Sequence, residues 1–228
     1  MAIDDNHRSR ENVLTRVRAA LGRRAPEEAA RNAARAYIAA RAQGPRPVVS
    51  GDLVDAFLTR AADMESTVER VPTLDDVAAA VGRYVGSLAN ACSDPTQNPR
   101  AGVCWPEFGW LDWKAAGLTI ESRPTVGHDA LGITGCFCAI AETGTLVFVT
   151  AADTPTGTFL LPETHVAIVR PDQIVPGMEE AFGRVRAERK TMPRAINLVS
   201  GPSRTGDIEQ TIVLGAHGPR RLHIVLVG

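Results

Sequence analysis

The chain has 228 residues, a hydrophobic content of 44%, a charged content of 22% and a formal net charge of −1. This length allows one sizeable α/β domain, alone or with an appendage, and the composition is that of an ordinary globular protein. A near-neutral charge argues against a general nucleic-acid binder, whose binding domain is usually clearly basic.

The sequence gives no indication of a membrane or secretory protein. No apolar run approaches the ~20 residues that a membrane-spanning helix needs, and residues 1–10 lack the hydrophobic core of a signal peptide. We therefore expect a cytoplasmic protein without a membrane span.

The cysteines are too few and too scattered for a cross-linked or metal-bound fold. Of the four, only Cys136 and Cys138 lie close together, and no second pair accompanies them. This spacing supplies neither a disulfide framework nor the ligand set of zinc or an iron–sulfur cluster. We expect structural thiols and no metal site.

Residues 1–47 are predicted to form a helical arm and a linker. Ser9 is a plausible N-cap for a helix that ends before Gly22, and residues 26–43 are rich in alanine and arginine, which favour helix. The apolar faces of both helices are thin, so the arm could contact a partner or a second copy of the chain. Residues 44–47 are the linker, which places the main domain at residues 48–228.

In the main domain, helical and strand patterns alternate along the chain. Helices are predicted over residues 53–61, 73–88 and 177–190, the second opened by the capping pair Thr73 and Asp76. Strands are predicted over residues 68–71, 101–105, 118–121, 145–150, 165–169, 196–200 and 222–227. Such alternation predicts an α/β fold with a largely parallel sheet.

The first candidate motif is Glu142-Thr143-Gly144-Thr145, which lies between an apolar run and a predicted strand. An isolated buried carboxylate is costly, so Glu142 needs a partner or a cleft. It could be a general base, a carboxylate nucleophile or an orienting acceptor. Alternatively, it satisfies only the N–H groups of its own turn.

The second motif, residues 200–209, follows an apolar strand. Gly201 and Gly206 have the spacing of a P-loop, but Asp207 stands where the phosphate-binding lysine should be, which excludes a nucleotide triphosphatase loop. Arg204 suits a carboxylate or phosphate. Three hydroxyl side chains could donate to the same anion: Ser200, Ser203 and Thr205. Alternatively, Asp207 and Glu209 pair with Arg204 and the loop is a self-contained turn.

The third motif contains Gly215-Ala216-His217-Gly218, in which small neighbours leave the imidazole of His217 free to face a cleft. A lone histidine is more often structural, so both interpretations stay open. The sequence contains no metalloprotease helix motif, nucleophile elbow or dinucleotide fingerprint.

Four segments in order carry a family resemblance: residues 133–145, 160–165, 200–209 and 215–219. Together they resemble the LUD-domain family, in particular its C-type lactate-utilisation proteins (LutC, also called YkgG). The resemblance covers the chain well from about residue 133 to its end, and loosely before that.

The resemblance implies a fold like that of the NagB, ribose-5-phosphate isomerase (RpiA) and CoA-transferase group, a three-layer α/β/α sandwich around a mainly parallel sheet. It also implies an accessory subunit of a system that oxidises L-lactate to pyruvate with two iron–sulfur proteins, one LutA-like and one LutB-like. Because this chain has no ferredoxin-like cysteine array, we expect no cofactor of its own and assign the clusters to those partners.

The leading hypothesis places a small carboxylate or phosphate-type anion in a cleft made by the three motifs. Arg204 would hold the anion, and Glu142 or His217 would transfer a proton. The candidate ligand-binding positions are Thr143, Gly144, Thr145, Ser200, Gly201, Ser203, Arg204, Thr205, Asp207, Glu209 and Gly218.

Two alternatives remain open at this point. The chain could be a stand-alone CoA-transferase-like or isomerase-like enzyme, with Glu142 as the nucleophile, although fold analogy does not fix chemistry. It could also be a purely structural scaffold for the iron–sulfur partners. Whether the chain is catalytic alone therefore stays undecided.

Overall fold

The computed structural model describes residues 2–22, 28–42, 44–88, 98–189, 191–205 and 213–228. Two candidate-site residues, Asp207 and Glu209, lie outside these ranges. The chain divides into two compact units, residues 1–46 and residues 47–228. Every helix in the described part of the chain is too short or too polar to span a bilayer.

The first unit contains helices α1 (Ala2–Ala20) and α2 (Glu28–Ala40). Helix α1 begins before Ser9, so the predicted N-cap is wrong and Ser9 lies inside the helix. Among the residues of α1 and α2 whose exposure is described, none is buried, and Tyr37 and Ile38 are largely exposed. These helices therefore form no core of their own.

The described residues of the second unit form four more α-helices and twelve strands. The helices are α3 (Leu53–Asp63), α4 (Val77–Ser87), α5 (Gly157–Leu160) and α6 (Met178–Glu188). The strands are β1 (Thr67–Val71), β2 (Ala101–Cys104), β3 (Thr119–Ser122), β4 (Leu131–Thr134), β5 (Cys138–Ile140), β6 (Thr145–Val149), β7 (Thr164–Val169), β8 (Ile174–Val175), β9 (Ile196–Val199), β10 (Arg204–Thr205), β11 (Val213–Leu214) and β12 (Arg221–Val227).

Side-chain caps begin α3 and the turn that leads into α4. Asp52 accepts hydrogen bonds from the N–H groups of Val54 (2.8 Å) and Asp55 (3.0 Å) at the start of α3. The N–H and hydroxyl groups of Thr73 both donate to Asp76 Oδ2, at 3.1 and 2.7 Å. This confirms the capping pair, which opens a short 3₁₀ turn that leads into α4.

The central sheet has six strands in the order β1-β12-β7-β4-β2-β3, and every neighbouring pair is parallel. Parallel sheets are normally covered on both faces, and their strands are apolar throughout. Strand β7 is buried along its whole length, as this rule requires. The prediction of an α/β fold with a mainly parallel sheet is confirmed.

Two histidines show what covers each face of the central sheet. His165 and His223 point to opposite faces, because His223 pairs with Val166, the residue after His165. His165 packs against phenylalanine rings of β6 and α5. On the other face, Tyr84 of α4 stacks on His223 with the ring centroids 3.9 Å apart. Helices thus lie on both sides of the sheet, as the three-layer expectation requires.

A second, mixed sheet lies beside the central one and is not predicted by the sequence. Its order is β8-β5-β6-β9, and β6 runs antiparallel to both of its neighbours. Helix α6 packs on it through a small core that contains Cys138, Ile140, Val147 and Ala181. Strands β10 and β11 form a separate antiparallel pair.

Candidate functional site

The first predicted motif forms the turn between β5 and β6. The N–H of Glu142 donates to the carbonyl of Pro176, 3.0 Å away. Gly144 has a φ of +64°, and a Cβ there would lie 2.4 Å from the backbone nitrogen of Ala61 in α3. Only glycine allows both that conformation and that close approach, so the turn is held tightly against α3.

A chain of three hydroxyl groups joins the first motif to the second. Thr145 Oγ1 lies 2.6 Å from Thr143 Oγ1 and 2.6 Å from Ser200 Oγ. Thr145 is only 3% exposed, so these two neighbours satisfy a hydroxyl that water cannot reach. Three of the five predicted ligand-binding hydroxyls are therefore already bonded to one another.

The second and third motifs lie side by side. Gly201 has a φ of +75°, and a Cβ there would lie 2.0 Å from the carbonyl oxygen of Met64. Ser203 donates its N–H to Pro219 (2.8 Å) and accepts from the N–H of Gly215 (2.9 Å) through its carbonyl. The structure thus brings residues 200–205 next to residues 215–219, as the cleft hypothesis requires.

His217 is exposed and contacts the second motif through a side chain. Its Nδ1 lies 3.1 Å from Thr205 Oγ1. A Cβ on Gly218 would lie 3.2 Å from the Cβ of Ser203, so the two loops also pack closely there.

Arg204 is not free to hold an anion without competition. Its Nη2 lies 2.6 Å from Glu65 Oε2, and both side chains are exposed. In the described part of the chain, no hydrogen bond or ion pair joins Glu142 to Arg204 or to His217. The structure therefore gathers the second and third motifs and leaves the carboxylate of the first without a direct bond to either.

Glu142 instead lines a groove of about 530 Å³ beside α3. The carboxylates that line this groove are Asp52, Asp55, Asp63 and Glu142, and the cationic residue among its lining is Arg60. Arg60 also pairs with Asp63, at 3.4 Å. Because like charges repel, this groove is poorly suited to the predicted anion.

A different cavity, of about 310 Å³, lies at the carboxyl ends of three parallel strands. Trp105 and Glu107 follow β2, Cys136 follows β4 and Gln173 follows β7. The remaining lining residues are Phe137, Val149, Asp153, Thr154, Arg184, Glu188 and Arg189. We call this the carboxyl-edge cavity.

The strand order explains why a cavity forms there. Strand β3 is added on one side of β2, whereas β4, β7 and β12 are added on the other. The connections after β2 and β4 therefore diverge and leave a crevice at the carboxyl ends of these strands. Open α/β sheets generally bind their ligands in this crevice.

Glu107 presents its carboxyl group to the backbone of the neighbouring strand end. A Cβ on Gly135 would lie 2.5 Å from Glu107 Oε1, so the carboxyl occupies the space that a side chain would take. Although the residue as a whole is exposed, desolvation of the carboxyl raises the pKa of Glu107. Asp153 adds to the rise and Arg170 opposes it. Glu107 can therefore hold a proton at a higher pH than an ordinary glutamate.

Two guanidinium groups on the α6 side of the cavity contact the ring of Phe137. Arg184 and Arg189 lie 5.6 and 5.4 Å from the ring centroid. Arg184 is also bonded to Glu188 at 2.7 Å and to the carbonyl of Asp172 at 3.1 Å. Among the described residues, the guanidinium of Arg189 interacts with the Phe137 ring alone. Its donors can therefore bind an anion in the cavity.

Two partly buried hydrogen bonds of Gln173 fix the floor of the cavity. Gln173 Nε2 donates to the carbonyl of Cys136 (2.8 Å), and Gln173 Oε1 accepts from the N–H of Arg170 (2.9 Å). Burial raises the pKa of the Cys136 thiol, and it raises that of Cys138 to about 11. Both are buried free thiols that stay protonated near neutral pH, as structural cysteines do.

A neutral histidine supports the same edge from inside the core. His165 is fully buried, and its Nε2 lies 2.8 Å from Oγ1 of Thr134, the residue before Gly135. Burial lowers the pKa of His165 to about 3, so the ring is neutral. Its Nδ1 has no hydrogen-bond partner among the described residues.

Sequence reasoning missed the residues of the carboxyl-edge cavity. It followed glycines, hydroxyls and histidines that crowd together along the chain, whereas Glu107 and Arg189 lie far apart in sequence. The usable signal was the end of each predicted parallel strand. Glu107 comes directly after the strand predicted over residues 101–105, and Gln173 follows the one over residues 165–169.

The fold is that of an α/β protein with a mainly parallel central sheet and a cavity at the carboxyl ends of its strands. Residues 107–227 match the LUD domain family, and the chain belongs to this family. A "Lactate utilization protein C" from Deinococcus radiodurans is 34% identical over 182 residues, which cover 77% of this chain and 84% of that protein.

Further comparisons agree with this assignment. A "Lactate utilization protein C" from Bacillus subtilis is 36% identical over 127 residues, which cover 54% of this chain and only about half (53%) of that protein. The crystal structure of a DUF162 family protein from Deinococcus radiodurans superposes with a TM-score of 0.56 at 26% identity, covering 80% of this chain and 100% of that chain. The family match includes every lining residue of the carboxyl-edge cavity except Trp105.

Proposed function

We propose that this chain acts in lactate utilisation, as an accessory subunit that works with iron–sulfur partner proteins and binds a small anion. The observation that carries the proposal is the similarity across 84% of the length of a relative named "Lactate utilization protein C". The carboxyl-edge cavity supports it, because this cavity combines a guanidinium and a carboxyl of raised pKa within one small space.

Cysteine chemistry supports the assignment of the electron-carrying clusters to partners. Oxidation of lactate to pyruvate releases two electrons, which an acceptor must take. Iron–sulfur clusters are held by sets of cysteine thiolates, whereas only Cys136 and Cys138 of the four cysteines in this chain lie close together in sequence. A chain that binds the organic anion while its partners carry electrons fits this chemistry.

The anion has two candidate sites in this chain, and the carboxyl-edge cavity is the better supported. In the cleft of the three motifs, Arg204 is paired with Glu65 and the hydroxyl of Thr145 is bonded on both sides. In the carboxyl-edge cavity, Arg189 has only a ring contact among the described residues. A ligand there would not have to displace an internal ion pair.

The proposal is tested by removing the chain from its system. Deletion of its coding sequence in the source organism is expected to abolish oxidation of L-lactate and to spare growth on glucose, and the reintroduced chain should restore it. Affinity purification of the tagged chain should recover iron–sulfur proteins. Unchanged lactate oxidation in the deletion strain would contradict the proposal.

The purified chain also tests the two alternatives. A stand-alone CoA-transferase that uses Glu142 would exchange acyl groups between CoA and a carboxylate, and hydroxylamine would inactivate it through the acyl-enzyme. A pure scaffold would co-purify with its partners and show no thermal shift with lactate, pyruvate, phosphate or CoA. A saturating ligand at 100 times its Kd should add about 2.7 kcal/mol, so the shift is measurable.

A further inference from the structure

We infer that the carboxyl-edge cavity binds a short 2-oxo or 2-hydroxy carboxylate, whose carboxylate group is held by Arg189 and whose C2 oxygen is hydrogen-bonded by Glu107. This inference rests on the proposed function for its link to lactate. The site itself is derived from the cavity, its charges and its fixed groups.

The size of the cavity limits the ligand to a small molecule. Its volume of about 310 Å³ is near the lower end of the roughly 300–1,000 Å³ that small-molecule sites span. Trp105 and Val149 supply apolar wall beside the charged groups. A three-carbon acid fits this lining, because its methyl group can pack on the apolar wall while its two oxygen-bearing carbons face the charged groups.

The charge balance favours an anion when Glu107 is protonated. Arg184 and Glu188 neutralise each other through their ion pair. Among the described residues, the remaining charges are those of Arg189, Asp153 and Glu107, which line the cavity, and of Arg170, which acts on Glu107 from outside the lining. When Glu107 is protonated, the positive charges of Arg189 and Arg170 outweigh the negative charge of Asp153, and the net charge is +1. An incoming carboxylate would neutralise it. With Glu107 ionised the balance is already zero.

Arg189 is positioned for the carboxylate by its contact with Phe137. The ring contact, at 5.4 Å from the centroid, restrains the guanidinium and leaves its N–H donors for a partner. A planar guanidinium binds a carboxylate through two parallel hydrogen bonds. No carboxylate among the described residues pairs with Arg189, so none of them uses this capacity.

Glu107 is positioned for the C2 oxygen by the absence of a side chain at Gly135. Its carboxyl lies against the backbone there, since a Cβ would approach Oε1 to 2.5 Å. A protonated carboxyl donates a hydrogen bond to a C2 carbonyl or hydroxyl oxygen. An acid without that oxygen, such as propanoate, would leave this donor unpaired.

The experiment is a calorimetric titration of the full chain with pyruvate, propanoate and inorganic phosphate. Pyruvate is expected to bind about fivefold more tightly than propanoate, the worth of one neutral hydrogen bond. Arg189→Gln should weaken both acids tenfold or more. The matched control is Arg186→Gln, a substitution at an exposed position of α6 outside the cavity, which should change neither affinity.

Substitutions at Glu107 and Gly135 test whether the carboxyl of Glu107 recognises the C2 oxygen of the ligand. Glu107→Ala and Gly135→Ala should both remove the preference for pyruvate over propanoate, the second by displacing the carboxyl. Glu107→Gln, which resembles the protonated form, should keep the preference. The thermal midpoint of each variant verifies that it is folded.

The pH dependence of binding follows from the groups that face Glu107. These are Arg170 beyond β7, Asp153 beyond β6, Cys136 beyond β4, and Arg184, Glu188 and Arg189 from α6. As the pH rises through the pKa of Glu107, which lies above its ordinary range, the carboxyl ionises and repels the ligand. Pyruvate affinity should therefore fall with rising pH in the natural chain and stay level in Glu107→Gln.

The outcomes distinguish this inference from the proposed function. Full pyruvate affinity in Arg189→Gln, loss of affinity in Arg204→Gln instead, or tighter binding of phosphate than of pyruvate would each overturn the inference. If lactate oxidation still depends on the chain, the proposed function then stands. If pyruvate binds as expected but the deletion strain oxidises lactate normally, only the proposed function fails.

Discussion

Two regions of this protein are rich in polar side chains, and they use them in opposite ways. In the loop cluster, which we define as residues 142–145, 200–205 and 215–219, internal bonds engage the polar groups that seemed suited to a ligand. Thr145 bonds to two hydroxyls and Arg204 pairs with Glu65. In the carboxyl-edge cavity, Arg189 contacts only a ring among the described residues, and Glu107 lies in a desolvated position that raises its pKa.

The difference shows that crowding of glycines and hydroxyls is as typical of tight packing as of binding. Gly144 and Gly201 each lie where any Cβ would strike the backbone of α3 or of the residue after it. Their role in the described structure is to let the loops approach α3. The cavity, by contrast, arises from the divergence of strand connections, which the topology of the sheet imposes.

The largest expected effect is a loss of stability, caused by a substitution that disrupts the packing of the loop cluster. Gly201→Ala places a Cβ 2.0 Å from the carbonyl oxygen of Met64 at a φ of +75°. Strain and collision together should lower the free energy of unfolding by about 4 kcal/mol. Gly183→Ala is the control, because nothing lies within 4 Å of its Cβ and it is inside α6. It should stabilise the chain by about 0.5–1 kcal/mol.

Urea unfolding of both variants measures this contrast. A Gly201→Ala protein as stable as the natural chain would show that the loop cluster can move away from α3. The interpretation of these glycines as packing residues would then be wrong.

A second prediction tests the buried histidines, one of which supports the cavity. Burial lowers the pKa values of His165 and His223 from 6.5 to about 3 and about 4. The unfolded chain therefore binds protons first as the pH falls, and stability is lost below pH 6.5. At pH 5.5 each histidine should cost about 1.4 kcal/mol, or about 3 kcal/mol together.

The measurement is urea unfolding at pH 7.5 and pH 5.5. The variant His165→Gln should be less stable at both values but should lose only about half as much between them. An equal loss in this variant would show that His165 is protonated in the folded protein, and the neutral support of the cavity edge would be ruled out.

A third prediction concerns the hydroxyl chain of the loop cluster. Thr145→Val keeps the shape of the side chain and removes two hydrogen bonds, while Thr143 and Ser200 are exposed and can bond to water. The loss should be about 1–2 kcal/mol. Thr143→Val, which removes one bond at an exposed position, should cost less. Pyruvate affinity that fell in Thr145→Val would return the ligand to the loop cluster.

The sequence predicts the architecture well because short runs rich in apolar and β-branched residues mark five of the six strands of the central sheet. The strands near residues 68–71, 101–105, 118–121, 165–169 and 222–227 all belong to the central sheet. Strand β4 is missed because it contains Gly132, where a Cβ would lie 1.9 Å from the carbonyl oxygen of Thr158. In the sequence this glycine predicts a loop, whereas in the structure it lets β4 pack closely against the backbone of α5.

The candidate site is predicted only in part, and for a related reason. The second and third motifs meet, because β10 and the turn before β12 are held together by Ser203. The carboxyl-edge cavity is not visible, since Glu107, Gly135 and Arg189 meet only after β2 and β4 pair and α6 packs on the second sheet. Patterns along the chain indicate strand ends, but they do not show which ends become neighbours.

The smallest expected effect separates the two regions most directly. Arg204→Gln removes an ion pair between exposed side chains, which is worth less than about 1 kcal/mol. If the carboxyl-edge cavity binds the anion, this variant should oxidise lactate in the assembled system and bind pyruvate like the natural chain. Arg189→Gln should be equally stable, because its cation–ring contact is exposed and worth about 0.5–1 kcal/mol, yet it should lose pyruvate affinity. The two substitutions should therefore cost similar stability and differ only in their effect on pyruvate affinity. If Arg204→Gln loses pyruvate affinity and Arg189→Gln keeps it, the anion binds beside Arg204, where it must displace Glu65 from its ion pair.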